Sequence, residues 1–212
     1  MSRIMTLVCA CLLLTYSAVS AASVKSGKSV RVSAKSRESL RPGFSLAAGD
    51  TCIVRQDKGL YWRIDQWVIG NELYKSFLDP EASCELPYPF TIYEINMPMI
   101  FDATTPLVAS VDVEAADYTD PNCPTPGDLL AISSQYQFTV PAAGLYDIWI
   151  PLDSPITVNG PFFVGFFIGN TFAAGVNPAI ITDSVPTQCV SYNIWDTTIG
   201  YIDLGDNEYW NF

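Results

Sequence analysis

Residues 107–115 read LVASVDVEA, and this stretch decides the fold class. Apolar residues such as Leu107 and Val111 occupy every second position, while Asp112 and Glu114 lie at the positions between. A period of two residues predicts a β-strand with one face in a core and the other facing outward. The outward face would place the two carboxylates side by side.

Further strands are predicted on both sides of this stretch. Residues 162–169, FFVGFFIG, are apolar on both faces and predict a buried central strand, in which Gly165 and Gly169 mark a bulge or the close approach of another backbone. Residues 71–78 are predicted as one or two helical turns, and residues 119–128, rich in proline, as a loop. The remaining predicted strands are 60–69, 90–99, 136–140, 145–150, 179–182, 189–195 and 199–204. This spacing favours an all-β, antiparallel, jelly-roll-like β-sandwich, with residues 44–212 as a single domain.

The N-terminal segment is predicted to direct export. Residues 1–22 combine a positive start, an apolar run over residues 6–14 and small residues at 19–22, which is the pattern of a signal peptide. No later apolar run reaches the length of about 20 residues that a membrane-spanning helix needs. We therefore expect a secreted protein, extracellular or periplasmic, with no transmembrane segment.

Charge is divided unevenly along the chain. Residues 23–43 hold six basic residues and one acid among serines, and are predicted to form a disordered basic arm. Residues 44–212 hold four basic residues and 21 acids, and no Lys or Arg follows Lys75. Such an acidic body repels phosphate backbones, so we expect no nucleic-acid partner. The arm is expected to dock on this body or on an anionic cell surface.

Four cysteines remain after removal of the signal peptide: Cys52, Cys84, Cys123 and Cys189. An even number in an oxidising compartment predicts two disulfides, with three connectivities open.

The sequence favours a protein without catalytic activity. It contains no histidine, which excludes Ser-His and Cys-His catalysis. The alternative is a glycoside hydrolase that uses Asp112 and Glu114, about 7 Å apart along one strand, with Glu94 contributed by a neighbouring strand. The favoured interpretation places these carboxylates on the solvated outer face of a sheet.

Two further groups of residues suggest ligands. Asp117, Asp120 and Asp128 around the proline-rich loop could hold a structural Ca²⁺, as could a C-terminal group formed by Asp203, Asp206, Asn207 and Glu208. We expect no other cofactor. Aromatic residues beside polar ones could stack on sugar rings, and the candidates are Tyr192, Asn193, Trp195, Asp196, Trp62 and Trp67.

Several motifs give the chain a resemblance to a group of uncharacterised secreted bacterial β-sandwich domains. They are Tyr88-Pro89-Phe90, Val111-Asp112-Val113-Glu114, Asp120-Pro121-Asn122-Cys123-Pro124, Asn159-Gly160-Pro161-Phe162-Phe163 and Cys189-Val190-Ser191-Tyr192-Asn193. The similarity covers about residues 60–204. It implies the β-sandwich fold and export, and it implies no activity.

Two functions from different classes remain. The first is a secreted, non-catalytic module that binds a polysaccharide or another cell-surface component. The second is a structural protein of the envelope or matrix that associates with itself through an exposed sheet edge.

Overall fold

The structure, a computed structural model, describes residues 30–34, 52–55, 61–65, 67–173, 178–183, 187–194 and 200–205. These residues form twelve strands and one short helix: β1 (Arg31–Ala34), β2 (Tyr61–Ile64), β3 (Gly70–Leu78), α1 (Pro80–Cys84), β4 (Phe90–Phe101), β5 (Thr105–Asp117), β6 (Thr125–Ile132), β7 (Tyr136–Val140), β8 (Gly144–Val158), β9 (Phe162–Thr171), β10 (Ala179–Asp183), β11 (Ser191–Ile194) and β12 (Ile202–Asp203).

The strands form two sheets. One sheet has the order β1-β8-β4-β10-β2, and the other has the order β12-β11-β3-β9-β5-β6. Strand β7 also pairs with β5, along the first half of that strand, whereas β6 pairs with the second half. Because all the pairs are antiparallel and neither sheet closes on itself, the predicted antiparallel β-sandwich is confirmed.

One hydrophobic cluster lies between the sheets. Met99 and Ile148 contribute from the five-stranded sheet, and Leu107, Val111 and Phe166 from the seven-stranded sheet. These residues occupy alternate positions of their strands, as the pattern of residues 107–115 predicts. Burying a side chain of this size stabilises the fold by about 1.5–3 kcal/mol.

Strand β9 lies between β3 and β5, as predicted for a central strand. Gly169 lies at a bulge, because the register with β3 shifts between Gly70 and Glu72. The prediction for Gly165 is wrong. Its register with both neighbouring strands is regular, and the atoms nearest to an added Cβ belong to the side chains of Lys75 and Asp112 and not to another backbone.

The prediction of helical turns at residues 71–78 is also wrong, because these residues lie in β3. Both faces of this strand are covered, so its side chains do not show the apolar and polar alternation of a half-exposed strand. A helix does occur immediately afterwards. Asp79 caps α1 by accepting a hydrogen bond from the Glu81 N–H at 3.0 Å, and Pro80 occupies its first turn. The Asp79-Pro80 pair therefore begins this helix.

Part of the N-terminal arm also differs from the prediction. Arg31–Ala34 form β1 and extend the five-stranded sheet by pairing with β8. Val32 packs against the core, which explains why these residues are ordered in an otherwise polar stretch. Residues 23–29 and 35–43 and the predicted signal peptide lie outside the described residues. Strand β6 likewise begins at Thr125, inside the predicted loop.

Candidate functional sites

Three strands of the seven-stranded sheet bring Lys75, Gly165 and Asp112 into one row. Lys75 is the register partner of Gly165, and Gly165 is the register partner of Asp112. All three lie on the outer face of the sheet, away from the main core. Because Gly165 has no side chain, the Lys75 side chain can cross the middle strand and reach Asp112 two strands away.

The Lys75 side chain is fully buried and forms ion pairs with two carboxylates. Its Nζ contacts Oδ1 of Asp112 and lies 2.9 Å from Oε1 of Glu114. A Cβ on Gly165 would lie 2.7 Å from Nζ and 2.8 Å from Cγ of Asp112, so only glycine fits between them. We refer to Lys75, Asp112 and Glu114 as the buried triad.

The expectation that Asp112 and Glu114 face solvent is wrong, since each side chain is only 14% exposed. Glu94 does not join them either. It lies on β4 in the other sheet and forms an ion pair with Arg31. The geometry that would allow a glycosidase, two open carboxylates flanking a bond, is therefore absent from this face as the described residues form it.

A row of aromatic rings lies next to the buried triad. Ring centroids are 5.3 Å apart for Phe77 and Phe163, 5.7 Å for Phe163 and Tyr192, and 6.0 Å for Tyr192 and Tyr201. Tyr192 is the register partner of Lys75, and Phe163 is the register partner of Glu114. These rings place apolar surface directly beside the charged groups and help to exclude water from them.

Tyr201 adds a hydroxyl group to this cluster. Its O–H lies 3.5 Å from Oε2 of Glu114, at the limit of a hydrogen bond. Burial raises the pKa of Tyr201, and the nearby charges of Glu114 and Asp112 raise it further. The phenol therefore stays protonated and can act as a donor to the Glu114 carboxylate.

A disulfide joins the loop between β5 and β6 to the segment just before β11. Cys123 pairs with Cys189, and the other pair is Cys52 with Cys84, so the prediction of two disulfides is confirmed and the connectivity is known. The Tyr192 O–H donates to the carbonyl of Pro124 at 2.9 Å, beside this disulfide. Asp203 accepts hydrogen bonds from the N–H groups of Cys189 and Gly205 at 2.6 and 2.9 Å, which fixes the adjacent turns.

The predicted sugar platform is wrong for Tyr192 and Asn193, which are only 3% and 0% exposed. Tyr192 belongs to the aromatic row, and the Asn193 side chain donates to the carbonyl of Leu73 at 3.3 Å. Trp67 is half-buried against the core. The side chain of Trp62, and the residues Trp195 and Asp196, lie outside the described part of the structure.

The ligand atoms of the three predicted calcium ligands, Asp117, Asp120 and Asp128, do not all lie within 4.8 Å of one another. Oδ1 of Asp117 accepts hydrogen bonds from the N–H and hydroxyl groups of Thr119, both at 2.8 Å. Oδ1 of Asp120 accepts from the N–H of Asn122 at 2.9 Å, and Asp128 is exposed on β6. Among the described residues, one group of three potential metal ligands lies within 4.8 Å, namely Cys123, Cys189 and Asp203, and its two sulfurs form the disulfide. Of the second predicted group only Asp203 is described.

A second buried acid lies on the inner face of the same sheet. Glu72 is 2% exposed, and its Oε1 accepts a hydrogen bond from the Gly70 N–H at 2.9 Å. Burial raises the pKa of Glu72 above its ordinary value of 4.5, and the hydrogen bond from Gly70 opposes part of that rise.

Strand β6 exposes apolar side chains at the edge of the seven-stranded sheet. Leu129, Leu130 and Ile132 are 57%, 41% and 52% exposed. One side of β6 pairs with β5, and no strand among the described residues pairs with the opposite side. We call this surface the β6 edge. Backbone groups that no described strand pairs with, beside exposed apolar side chains, are typical of a surface that receives another strand.

Sequence reasoning missed Lys75 and the β6 edge. The signal for Lys75 was available, because it is the last basic residue of the chain and lies between Tyr74 and Phe77 in an apolar stretch. The β6 edge gave little signal, because its proline and glycine residues are typical of a loop.

No helix among the described residues is long and apolar enough to cross a membrane.

One of three comparisons with known proteins gives a match. No curated protein and no solved structure matches the chain. One family model, described as a domain of unknown function (DUF7451), matches residues 65–211, which is more than half of the chain. The protein therefore belongs to the DUF7451 family.

Proposed function

We propose that the protein is an exported, non-catalytic structural module that associates with a second copy of itself through the β6 edge. The observation that carries this proposal is the exposure of Leu129, Leu130 and Ile132 on a strand whose outer side has no partner among the described strands. Exposed apolar edges of this kind promote association unless they are covered.

A second copy is the occupant that best suits this edge. Strand β6 carries a single charged residue, Asp128, although the chain as a whole has a net charge of −11. Like charges therefore oppose the pairing of two β6 strands less than they oppose contact elsewhere on the body. An antiparallel β6–β6 pair about a two-fold axis would also join the two seven-stranded sheets into one continuous sheet.

Two features support export. Residues 1–22 have the pattern of a signal peptide. The two disulfides are compatible with an extracellular or periplasmic location, because disulfides persist in oxidising compartments. The burial of Tyr192 and Asn193 removes the main support for a glycan-binding surface, which is why assembly is preferred.

Sedimentation velocity over a range of concentrations tests the proposal. We expect dimers or larger species whose population grows with salt, because salt screens the repulsion between acidic bodies. The double substitution Leu129→Lys with Ile132→Lys should weaken association tenfold or more, equivalent to about 1.4 kcal/mol.

The matched control introduces two lysines at exposed apolar positions away from the β6 edge, Ile69→Lys with Tyr93→Lys. It changes the net charge equally and should leave association close to the wild-type level. A wild-type protein that stays monomeric at about 1 mM, where an association of about 4 kcal/mol is half complete, would contradict the proposal. Equal effects of the two double variants would contradict the role of the β6 edge.

A further inference from the structure

We propose that Lys75 and Asp112 become joined by an amide bond between their side chains, an isopeptide bond, with Glu114 as the catalytic carboxyl group. The bond would link Nζ of Lys75 to Cγ of Asp112. It would tie β3 covalently to β5 across the intervening strand β9. This proposal is independent of the β6 edge and goes beyond the proposed function.

The reacting atoms are already adjacent. Nζ contacts Oδ1 of Asp112, and Cγ is one covalent bond from that oxygen. Nζ therefore lies close to the carbon that it would attack, as a near-attack arrangement requires. Gly165 makes this approach possible, because a Cβ at that position would clash with both atoms.

Glu114 is placed to move protons. Its Oε1 lies 2.9 Å from Nζ, and its Oε2 faces the hydroxyl of Tyr201 at 3.5 Å. A carboxylate within hydrogen-bond reach of an attacking amine can accept a proton and then deliver it to the departing oxygen. Tyr201 can hold Glu114 in this orientation, so it is a positioning residue.

The reaction balances without any other reagent. The ammonium of Lys75 loses one proton to Glu114, and the neutral amine attacks Cγ of Asp112. The new N–C bond forms, one C–O bond of Asp112 breaks, and the electron pair of that bond leaves with the oxygen. Two protons leave Nζ in total and both end on that oxygen, which departs as water, while Glu114 returns to its starting state.

The surroundings favour this outcome. A buried ion pair has lost its hydration, and the free-energy cost of that loss falls on both charges. The amide and the released water carry no charge, so condensation removes this cost for Lys75 and Asp112, and the Glu114 carboxylate keeps the Tyr201 hydroxyl as a donor. The aromatic row beside the buried triad limits access of bulk water, and water is the reactant of the reverse reaction.

Trypsin digestion followed by mass spectrometry provides the test. The full-length chain is expressed and purified, and the protein is then reduced, alkylated and unfolded. Because no Lys or Arg follows Lys75, trypsin makes its last cut there and separates residues 64–75 from residues 76–212. An acylated Lys75 is not cut. We expect a single fragment of residues 64–212 whose mass is one water molecule below the sequence value.

Release of a free 64–75 peptide from the wild-type protein, with no loss of water, would overturn the proposal. This result depends on no variant, so it does not require a variant to fold. Lys75→Arg and Asp112→Ala should restore the full mass of the chain. Glu114→Gln should also keep the full mass, with trypsin cutting after Lys75. A cross-link that forms in Glu114→Gln at the wild-type level would overturn the role of Glu114.

Asp112→Asn offers a sharper variant because it leaves an amide that Lys75 can also attack. That reaction releases ammonia, so the cross-linked variant should have the same mass as the cross-linked wild type. A variant with Asn at this position that reaches the wild-type mass supports the bond between Nζ and Cγ. A cross-link that persists in Asp112→Ala would show that another residue is joined and would overturn the assignment to Asp112.

Discussion

Both sheets carry an ion pair between a basic side chain and a carboxylate on their outer face, but the two pairs differ in burial. On the five-stranded sheet, Arg31 pairs with Glu94 in the open, with side chains 59% and 34% exposed, and its guanidinium lies 5.1 Å from the ring centroid of Trp149. On the seven-stranded sheet, Lys75 pairs with Asp112 and Glu114 under aromatic cover. A cation and a carboxylate on a strand therefore form a solvated surface pair or a buried cluster, depending on what covers the face.

The largest effect is expected from Lys75→Met. It leaves the Asp112 and Glu114 carboxylates buried with neither the ion pairs nor the proposed amide bond to Lys75, which should lower the free energy of unfolding by about 3–5 kcal/mol in urea denaturation. The control replaces the whole buried triad, Lys75→Met with Asp112→Leu and Glu114→Gln, and should recover much of the loss. If Lys75→Met lowered the free energy of unfolding by less than about 1 kcal/mol, the ion pairs of Lys75 would contribute no more than exposed ones do.

Removing the disulfide over the seven-stranded sheet should have the next largest effect. Cys123→Ala with Cys189→Ala should cost about 2–5 kcal/mol and weaken the near-ultraviolet circular dichroism of Tyr192, which bonds to Pro124 beside the disulfide.

The matched control is Cys52→Ala with Cys84→Ala. This disulfide spans 32 residues, against 66 for the other, and loop-closure entropy alone makes its loss smaller by about 0.6 kcal/mol. It should leave the aromatic signal intact. An equal change of that signal in both double variants would argue against a local role for the Cys123–Cys189 disulfide.

Glu72→Gln should change stability in the opposite direction. Because burial raises the pKa of Glu72 in the folded state, the folded protein binds more protons than the unfolded chain in the pH range just above 4.5. The wild-type free energy of unfolding contributed by this group therefore falls as pH rises from 4.5 through the raised pKa. The Gln variant should lack this fall and be the more stable protein at neutral pH.

Urea denaturation of both proteins at several pH values measures this difference. The control is Glu81→Gln, at an exposed position, which should leave the pH dependence unchanged. Parallel curves for wild type and Glu72→Gln would contradict the prediction.

The smallest effect is expected from Arg31→Ala. Exposed ion pairs contribute about 1 kcal/mol or less, and salt screens them. Denaturation at low and high salt should therefore show a small loss that shrinks as salt is added. A loss above about 2 kcal/mol would show that β1 is held as firmly as the core strands, and the contrast between the two faces would then need revision.

Strands with a regular apolar pattern on one or both faces were predictable, whereas a strand with charged residues buried on both faces was not. The pattern of residues 107–115 predicted β5 to within two residues at each end, because one face of that strand meets the core. Strand β3 was mistaken for helical turns because Lys75 and Glu72 are buried on opposite faces, which removes the expected polar side. Burial of a charged residue depends on partners distant in sequence, and no local pattern encodes it.

In the candidate site too, part of the arrangement was predictable from the sequence and part depends on residues far apart in the chain. The adjacency of Asp112 and Glu114 followed from the strand period, but their cation comes from a residue 37 positions away along the chain. Tyr192 and Asn193 were a reasonable sugar platform as an aromatic and polar pair. Pairing of β11 with β3 and the disulfide at Cys189 instead bury both side chains.

The amino-acid sequence by itself determined the all-β class, the sandwich architecture and the four cysteines that pair, because these follow from local periodicity and from counting residues. Only the tertiary structure decided which cysteines pair, which face of the seven-stranded sheet is covered, and that Lys75 crosses Gly165 to meet Asp112. The physical reason is that strand order and register bring together residues far apart in the chain, and the free energy of a charged group depends on the groups that surround it in space.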